Sequence, residues 1–144
     1  MHFSNFLIAT AATFSGLSSA IITGISVPAT IKPGDGFNLY INTANYIQSV
    51  DDIAIALGVA PGKGYPGSLG QVTDSFYLGP SQSNVLYRIP KWTSIPATIP
   101  KGNATYTAAV FSLYGAADAQ TLTSYNVTVA IGDTTSTTYV TSSP

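Results

Sequence analysis

The sequence predicts an all-β fold, an immunoglobulin-like antiparallel β-sandwich of about seven to eight strands. Three observations predict it. Apolar residues recur with period two in several segments. Turn signals rich in Gly and Pro separate those segments. Beyond the first twenty residues, no long stretch follows the helical period of about 3.6.

Residues 1–20 read as a signal peptide ahead of that domain. Phe6 to Leu17 (FLIATAATFSGL) is an apolar run of signal-peptide length. It falls short of the roughly 20 residues that span a bilayer. Ser18 and Ala20 place small side chains at −3 and −1, so cleavage is expected between Ala20 and Ile21. The n-region holds His2 but no Lys or Arg, and a buried N-terminal helix is the alternative.

The expected strands follow in order. Ile21 to Val27 is the first. In Gly36 to Ala44, Phe37, Leu39 and Ile41 alternate with Asn38, Tyr40 and Asn42. In Asp52 to Val59, Ile53, Ile55, Leu57 and Val59 alternate with Ala54, Ala56 and Gly58. Ser75 to Leu78, Val85 to Ile89, Trp92 to Ile95 and Ala104 to Leu113 come next. In Leu122 to Ile131, Tyr125, Val127, Val129 and Ile131 alternate with Ser124, Asn126, Thr128 and Ala130. Successive side chains on a strand point to opposite faces, so each such segment has one apolar face to bury. Pro33-Gly34-Asp35-Gly36, Pro61-Gly62, Gly79-Pro80 and Pro100-Lys101-Gly102 supply the turns. Pro90, Pro96 and Pro100 cannot donate to a ladder, which assigns their neighbourhood to edge strands or strand ends. Trp92 fits either a core position or an exposed loop. The β-sandwich domain is expected over 21–133. The tail 134–144 is rich in Thr and Ser and fits either a short strand near Thr138 to Thr141 or a disordered, O-glycosylated end.

Composition narrows the chemistry. The 124 residues left of 144 after the cut can bury roughly two-thirds of their unfolded surface. There is no Cys and no Glu, and His2 leaves with the signal peptide. Five basic residues and six Asp are scattered and nearly cancel, so no footprint for nucleic acid or anionic lipid exists. Charged residues make up 8% of the chain, against roughly 25% in ordinary soluble domains. Thr, Ser, Asn and glycans are left to keep the surface wet. Two sequons fit that role, Asn103-Ala104-Thr105 and Asn126-Val127-Thr128, with Asn126 pointing away from its strand's apolar face.

The stretch APGKGYPGSLG (Ala60 to Gly70) contains Gly62, Gly64 and Gly67 in the spacing of a pyrophosphate cradle. That cradle needs a helix N-terminus after the third glycine. Tyr65-Pro66-Gly67-Ser68-Leu69-Gly70 starts no helix, and no acid lies about twenty residues on to hold a ribose. Lys63 is followed by Gly, so the other phosphate-loop pattern fails too. The stretch reads as a glycine-rich loop between strands that displays Lys63 and Tyr65 as a contact surface.

No imidazole is available for a hydrolytic triad, and no His or Cys for zinc or copper. Asp51 and Asp52 would point opposite ways on a strand, and are expected to mark a polar turn before Ile53. No catalytic residue, metal or cofactor is therefore assigned; an enzyme using Asp alone is the remotest reading. Of nine tyrosines, Tyr40, Tyr106, Tyr114 and Tyr125 suit strand packing. Tyr46, Tyr65, Tyr77 and Trp92 suit a recognition surface, and Lys63, Tyr65, Tyr77 and Trp92 are the candidate partner contacts.

Seven runs then carry a resemblance. Gly24-Ile-Ser-Val-Pro28, Ile31-Lys-Pro-Gly34, Asn45-Tyr-Ile-Gln-Ser-Val50 and Ile53-Ala-Ile-Ala-Leu-Gly58 are four of them. Ala60-Pro-Gly-Lys-Gly-Tyr-Pro66, Asp74-Ser-Phe-Tyr-Leu-Gly-Pro80 and Ser124-Tyr-Asn-Val-Thr-Val129 are the rest. In this order, from Gly24 to Asp133, the chain resembles the fungal necrosis-inducing secreted protein family. The resemblance implies a secreted effector of plant-associated fungi that suppresses pattern-triggered immunity. It implies association with host plant receptor-like kinases and their cytoplasmic kinase partners, and cell death in leaves. It carries no catalytic motif and no contact map. Extracellular action and delivery into host plant cells both stay open, as does the oligomeric state. The alternative of another class is a secreted cell-wall or glycan-binding immunoglobulin-like module without catalysis.

Overall fold

The computed structural model describes residues 19–143. The signal-peptide reading lies outside the described residues except for Ser19 and Ala20. These two already pair with Tyr46 and Asn45, and cleavage after Ala20 would leave the first strand intact from Ile21.

Nine strands form two sheets. They are β1 (Ser19–Pro28), β2 (Thr30–Ile31), β3 (Gly36–Tyr46), β4 (Val50–Pro61), β5 (Gln71–Tyr77), β6 (Ile89–Ser94), β7 (Gly102–Tyr114), β8 (Ala119–Ile131) and β9 (Tyr139–Thr141). The four-stranded sheet has the order β6-β3-β1-β9, and the five-stranded sheet β2-β8-β7-β4-β5. All pairs are antiparallel except β2 with β8, which is parallel. The all-β sandwich read from the period-two pattern is what the chain forms. The count exceeds eight because Thr30–Ile31 make a two-residue strand and the Thr/Ser-rich tail contributes β9.

One expected strand is absent. Of Val85 to Ile89, only Ile89 is in a strand, as the first residue of β6. Those residues carry the chain from the five-stranded to the four-stranded sheet, so no ladder partner runs beside them.

The facing sides of the sheets make one core, with Ile25, Val27, Leu39, Ile41, Ile55, Leu57, Ile89 and Tyr106 buried in it. Each aliphatic side chain so buried contributes about 1.5–3 kcal/mol. The alternation in β3 and β8 matches the burial pattern. In β4 it holds for Ile55, Leu57 and Val59 and then breaks. The β4–β7 register shifts between Asp52 and Ala54, and this bulge reverses which residues face inward. Below it Val50 and Asp52 are buried, while Asp51 is exposed. Asp51 and Asp52 therefore do point opposite ways, but inside β4; they do not form the expected polar turn.

The edges β5 and β6 close one side of the sandwich. Thr93 Oγ1 donates to Asp74 Oδ2 at 3.1 Å, and the Lys91 ammonium lies 5.1 Å from the centre of the Phe76 ring.

Candidate functional site: the outer face of the five-stranded sheet

The outward positions of β4 are Ala54, Ala56, Gly58 and Ala60, all small. Across β7 they face Phe111, Ala109, Thr107 and Thr105. Across β8 those in turn face Leu122, Ser124, Asn126 and Thr128. The face is thus a low floor of methyls, hydroxyls and one amide, with larger side chains at one end.

The β4–β5 loop folds back over this floor. Gly62, Gly64, Gly67 and Gly70 turn it, each with φ between 66° and 79°. Thr105 Oγ1 donates to the Gly62 carbonyl at 2.7 Å, and the Gly62 N–H donates to the Asn103 carbonyl at 2.8 Å. Gly58 makes the approach possible: a Cβ there would sit 2.2 Å from the Leu69 carbonyl oxygen. Strand β5, not a helix, follows Gly70, so no helix N-terminus faces the glycines.

Between loop and floor lies a groove of about 590 Å³, lined among others by Lys63, Tyr65, Leu69, Thr107, Leu122 and Asn126. Tyr65 stands 82% exposed at its rim. Lys63 is the charged side chain of the lining. From Leu122 at the end of the groove, Phe111, Ala54 and Tyr77 follow opposite one another in register. They form an apolar row across four strands, with Leu122 71% and Tyr77 73% exposed.

Near Tyr77 a smaller hollow of about 270 Å³ is bordered by Asp51, Asp52 and Ser83. Asp52 Oδ1 accepts from Ser112 Oγ at 2.7 Å, and its backbone N–H donates to Ser83 Oγ at 2.9 Å. Burial pushes the Asp52 carboxyl above the usual carboxylate range; the Ser112 bond opposes this and Asp51 adds to it. Among the described residues no group of three or more His, Cys, Asp or Glu side chains converges as metal ligands would. What the face offers is aromatic surface, hydroxyls, amides and one ammonium.

Lys63 and Tyr65 lie on the loop over the groove, and Tyr77 stands at another corner of the same face. Trp92 does not join them. It projects outward from β6 on the other sheet, where its ring lies over Gly36, 2.4 Å from where a Cβ would be. Asn103 is exposed at the start of β7, and Asn126 is exposed in mid-β8. Sequence reasoning missed Phe111 and Leu122. The available signal was Ala54, Ala56, Gly58 and Ala60: small residues at alternate positions make a face that something larger lies upon.

Fold and face together define a small β-sandwich protein with an open, weakly charged outer face. The chain belongs to the Nis1 family, whose model matches residues 18–130. It is 51% identical over 134 residues to Necrosis-inducing secreted protein 1 of Colletotrichum orbiculare, covering 92% of this chain and 83% of that one. It is 48% identical over 134 residues to the protein of the same name from Colletotrichum higginsianum, covering 92% and 93%.

Proposed function

We propose that this protein is a secreted fungal effector that induces necrosis in plant tissue. In this reading it also suppresses pattern-triggered immunity by binding host receptor-like kinases and their cytoplasmic kinase partners. Identity near one half to relatives named necrosis-inducing secreted proteins supports the secreted, necrosis-inducing part of the reading; the kinase part rests on what the family resemblance implies. The contact falls on the outer face of the five-stranded sheet, through Tyr65, Lys63 and Tyr77. Exposed aromatics supply much of the energy at protein interfaces. The test is co-precipitation with plant receptor-like kinase domains, paired with the oxidative burst of treated leaves. The wild type binds and damps the burst, and Tyr65→Ala with Tyr77→Ala weakens binding by about tenfold or more. Failure to bind any such domain, with an unchanged burst, refutes the reading.

One observation favours a second reading, a cell-wall or glycan-binding module. The exposed Tyr65 ring borders a floor of Thr107, Ser124 and Asn126. An aromatic plane beside hydroxyls and an amide suits a sugar ring. Retention on chitin or β-glucan that is lost in Tyr65→Ala supports this reading against the first.

A further inference from the structure

The four exposed ends of the sheets differ in how they resist strand addition. β2 and β9 are two and three residues long. β6 carries Pro90 and Lys91. β5 carries Asp74, has a register shift against β4 and is tied to β6 through Thr93. Short strands, prolines, charges and bulges are the ordinary protections of a sheet edge.

β8 has none of them. β2 covers only Ala130 and Ile131. Ala130 N–H donates to the Ala29 carbonyl at 2.9 Å and Gly132 N–H to the Ile31 carbonyl at 3.0 Å, so even-numbered residues here turn their backbone groups away from β7. The β7–β8 register runs from Gly102↔Ile131 to Tyr114↔Ala119 without a shift, which carries that alternation down the strand. The N–H and C=O groups of Gln120, Leu122, Ser124, Asn126 and Thr128 therefore face outward, with no strand beside them among the described residues. AQTLTSYNVTVAI contains no charge and no proline. Antiparallel pairing of two copies is two-fold symmetric, so this edge is its own complement.

The sequon Asn126-Val127-Thr128 sits in the middle of that edge, with Asn126 and Thr128 exposed on the outer face. We propose that Asn126 carries an N-linked glycan, and that this glycan keeps β8 from pairing with a second copy of the chain. Transfer takes place on the extended chain, before β8 enters the sheet, so its later strand geometry is no obstacle. Asn126 Nδ2 bonds to C1 of the first N-acetylglucosamine. The bond from C1 to the pyrophosphate of the lipid-linked oligosaccharide donor breaks, the lipid pyrophosphate leaves, and the amide gives up one proton. An oligosaccharide rooted there is far wider than the ~4.8 Å between paired strands. Asn103 lies on β7, an interior strand, and a glycan there guards no edge. The proposal needs no kinase partner, and it removes the Asn126 amide from the floor that the glycan-binding reading uses.

The test secretes the full chain from a yeast host. Enzymatic glycan release in ¹⁸O water followed by mass spectrometry reads the occupancy of Asn126, and sedimentation velocity reads the association state. Thr128→Ala abolishes the sequon while keeping Asn126 and adding no charge. The wild type is expected to be glycosylated at Asn126 and monomeric, as is Asn103→Gln. Thr128→Ala is expected to double in mass as concentration rises, with an unchanged circular dichroism spectrum. Adding Ser124→Lys restores the monomer, because two-fold pairing brings the new charge near its own copy. An unmodified Asn126, a Thr128→Ala protein that stays monomeric, or association that Ser124→Lys does not relieve overturns the proposal.

Discussion

The outward faces of the two sheets are finished differently. On the four-stranded sheet, large side chains are engaged by the chain itself. The Tyr40 ring lies 5.5 Å from that of Tyr139 and 4.2 Å from the Arg88 guanidinium. The Tyr139 hydroxyl donates to the Asn38 carbonyl at 2.7 Å, and Ser26 Oγ bonds both Asn42 and Thr141. Trp92 is the exception on this sheet: its ring crosses Gly36 yet is 66% exposed. On the five-stranded sheet the floor is small, Tyr65 and Leu122 stand in solvent, and Tyr77 meets the Gly79 backbone and is 73% exposed. A count of aromatics therefore says little about recognition; what separates the faces is whether a ring finds a partner within its own chain.

The strongest way to break the contrast is Gly58→Val. Its Cβ would collide with the Leu69 backbone, so the loop has to lift and the groove opens flat. Overpacking of this kind costs about 1–3 kcal/mol. Thermal unfolding and new tryptic cleavage at Lys63 read it out. Next is Tyr139→Ala, which removes an aromatic contact worth about 0.5–1.5 kcal/mol and a hydrogen bond worth about 1. Urea unfolding should show a loss near 2 kcal/mol. If Tyr77→Ala costs as much, the faces do not differ as described.

Asp52→Asn probes beneath the open face. Because burial raises the folded carboxyl's pKa, the folded state favours the protonated form. The wild type should gain stability as pH falls from neutral through that raised pKa, and lose the gain as pH rises again. Asp52→Asn keeps an acceptor for Ser112, is the more stable at neutral pH, and lacks this acid-side gain. Asp133 acts with the opposite sign, since Lys101 holds its carboxyl low. The difference between wild type and Asp52→Asn melting curves across pH isolates the one group. The smallest stability effect belongs to Tyr77→Ala, within about 0.5 kcal/mol. Under the proposed function, its loss of binding to host kinase domains is then read free of a folding defect.

Much of this architecture was legible. Phe37-Leu39-Ile41 and Val129-Ile131 alternate in sequence as they do in burial, because one side of each strand meets the core throughout. The β4 bulge was not legible: its reversal at Asp52 is set by the register with β7, more than fifty residues downstream. Nor was β2, whose two residues are too few for a period. Lys63 and Tyr65 were found from the loop's glycines. Phe111 and Leu122 were missed because they become neighbours of Ala54 and Tyr77 only through strand order. Trp92 was grouped with the wrong face for the same reason: exposure can be guessed locally, but sheet membership cannot.

β1 completes its pairing only with β9. Ile25 N–H donates to Ser142 Oγ, 117 positions along the chain, and Val27 stands opposite Val140. β1 must therefore wait for β9 before its second flank is paired. Non-local contacts of this span slow folding, so the smaller sheet closes late. A stop codon placed ahead of Tyr139 would leave a finished larger sheet beside a smaller one with a bare flank, which is the kind of half-built product that chaperones retain.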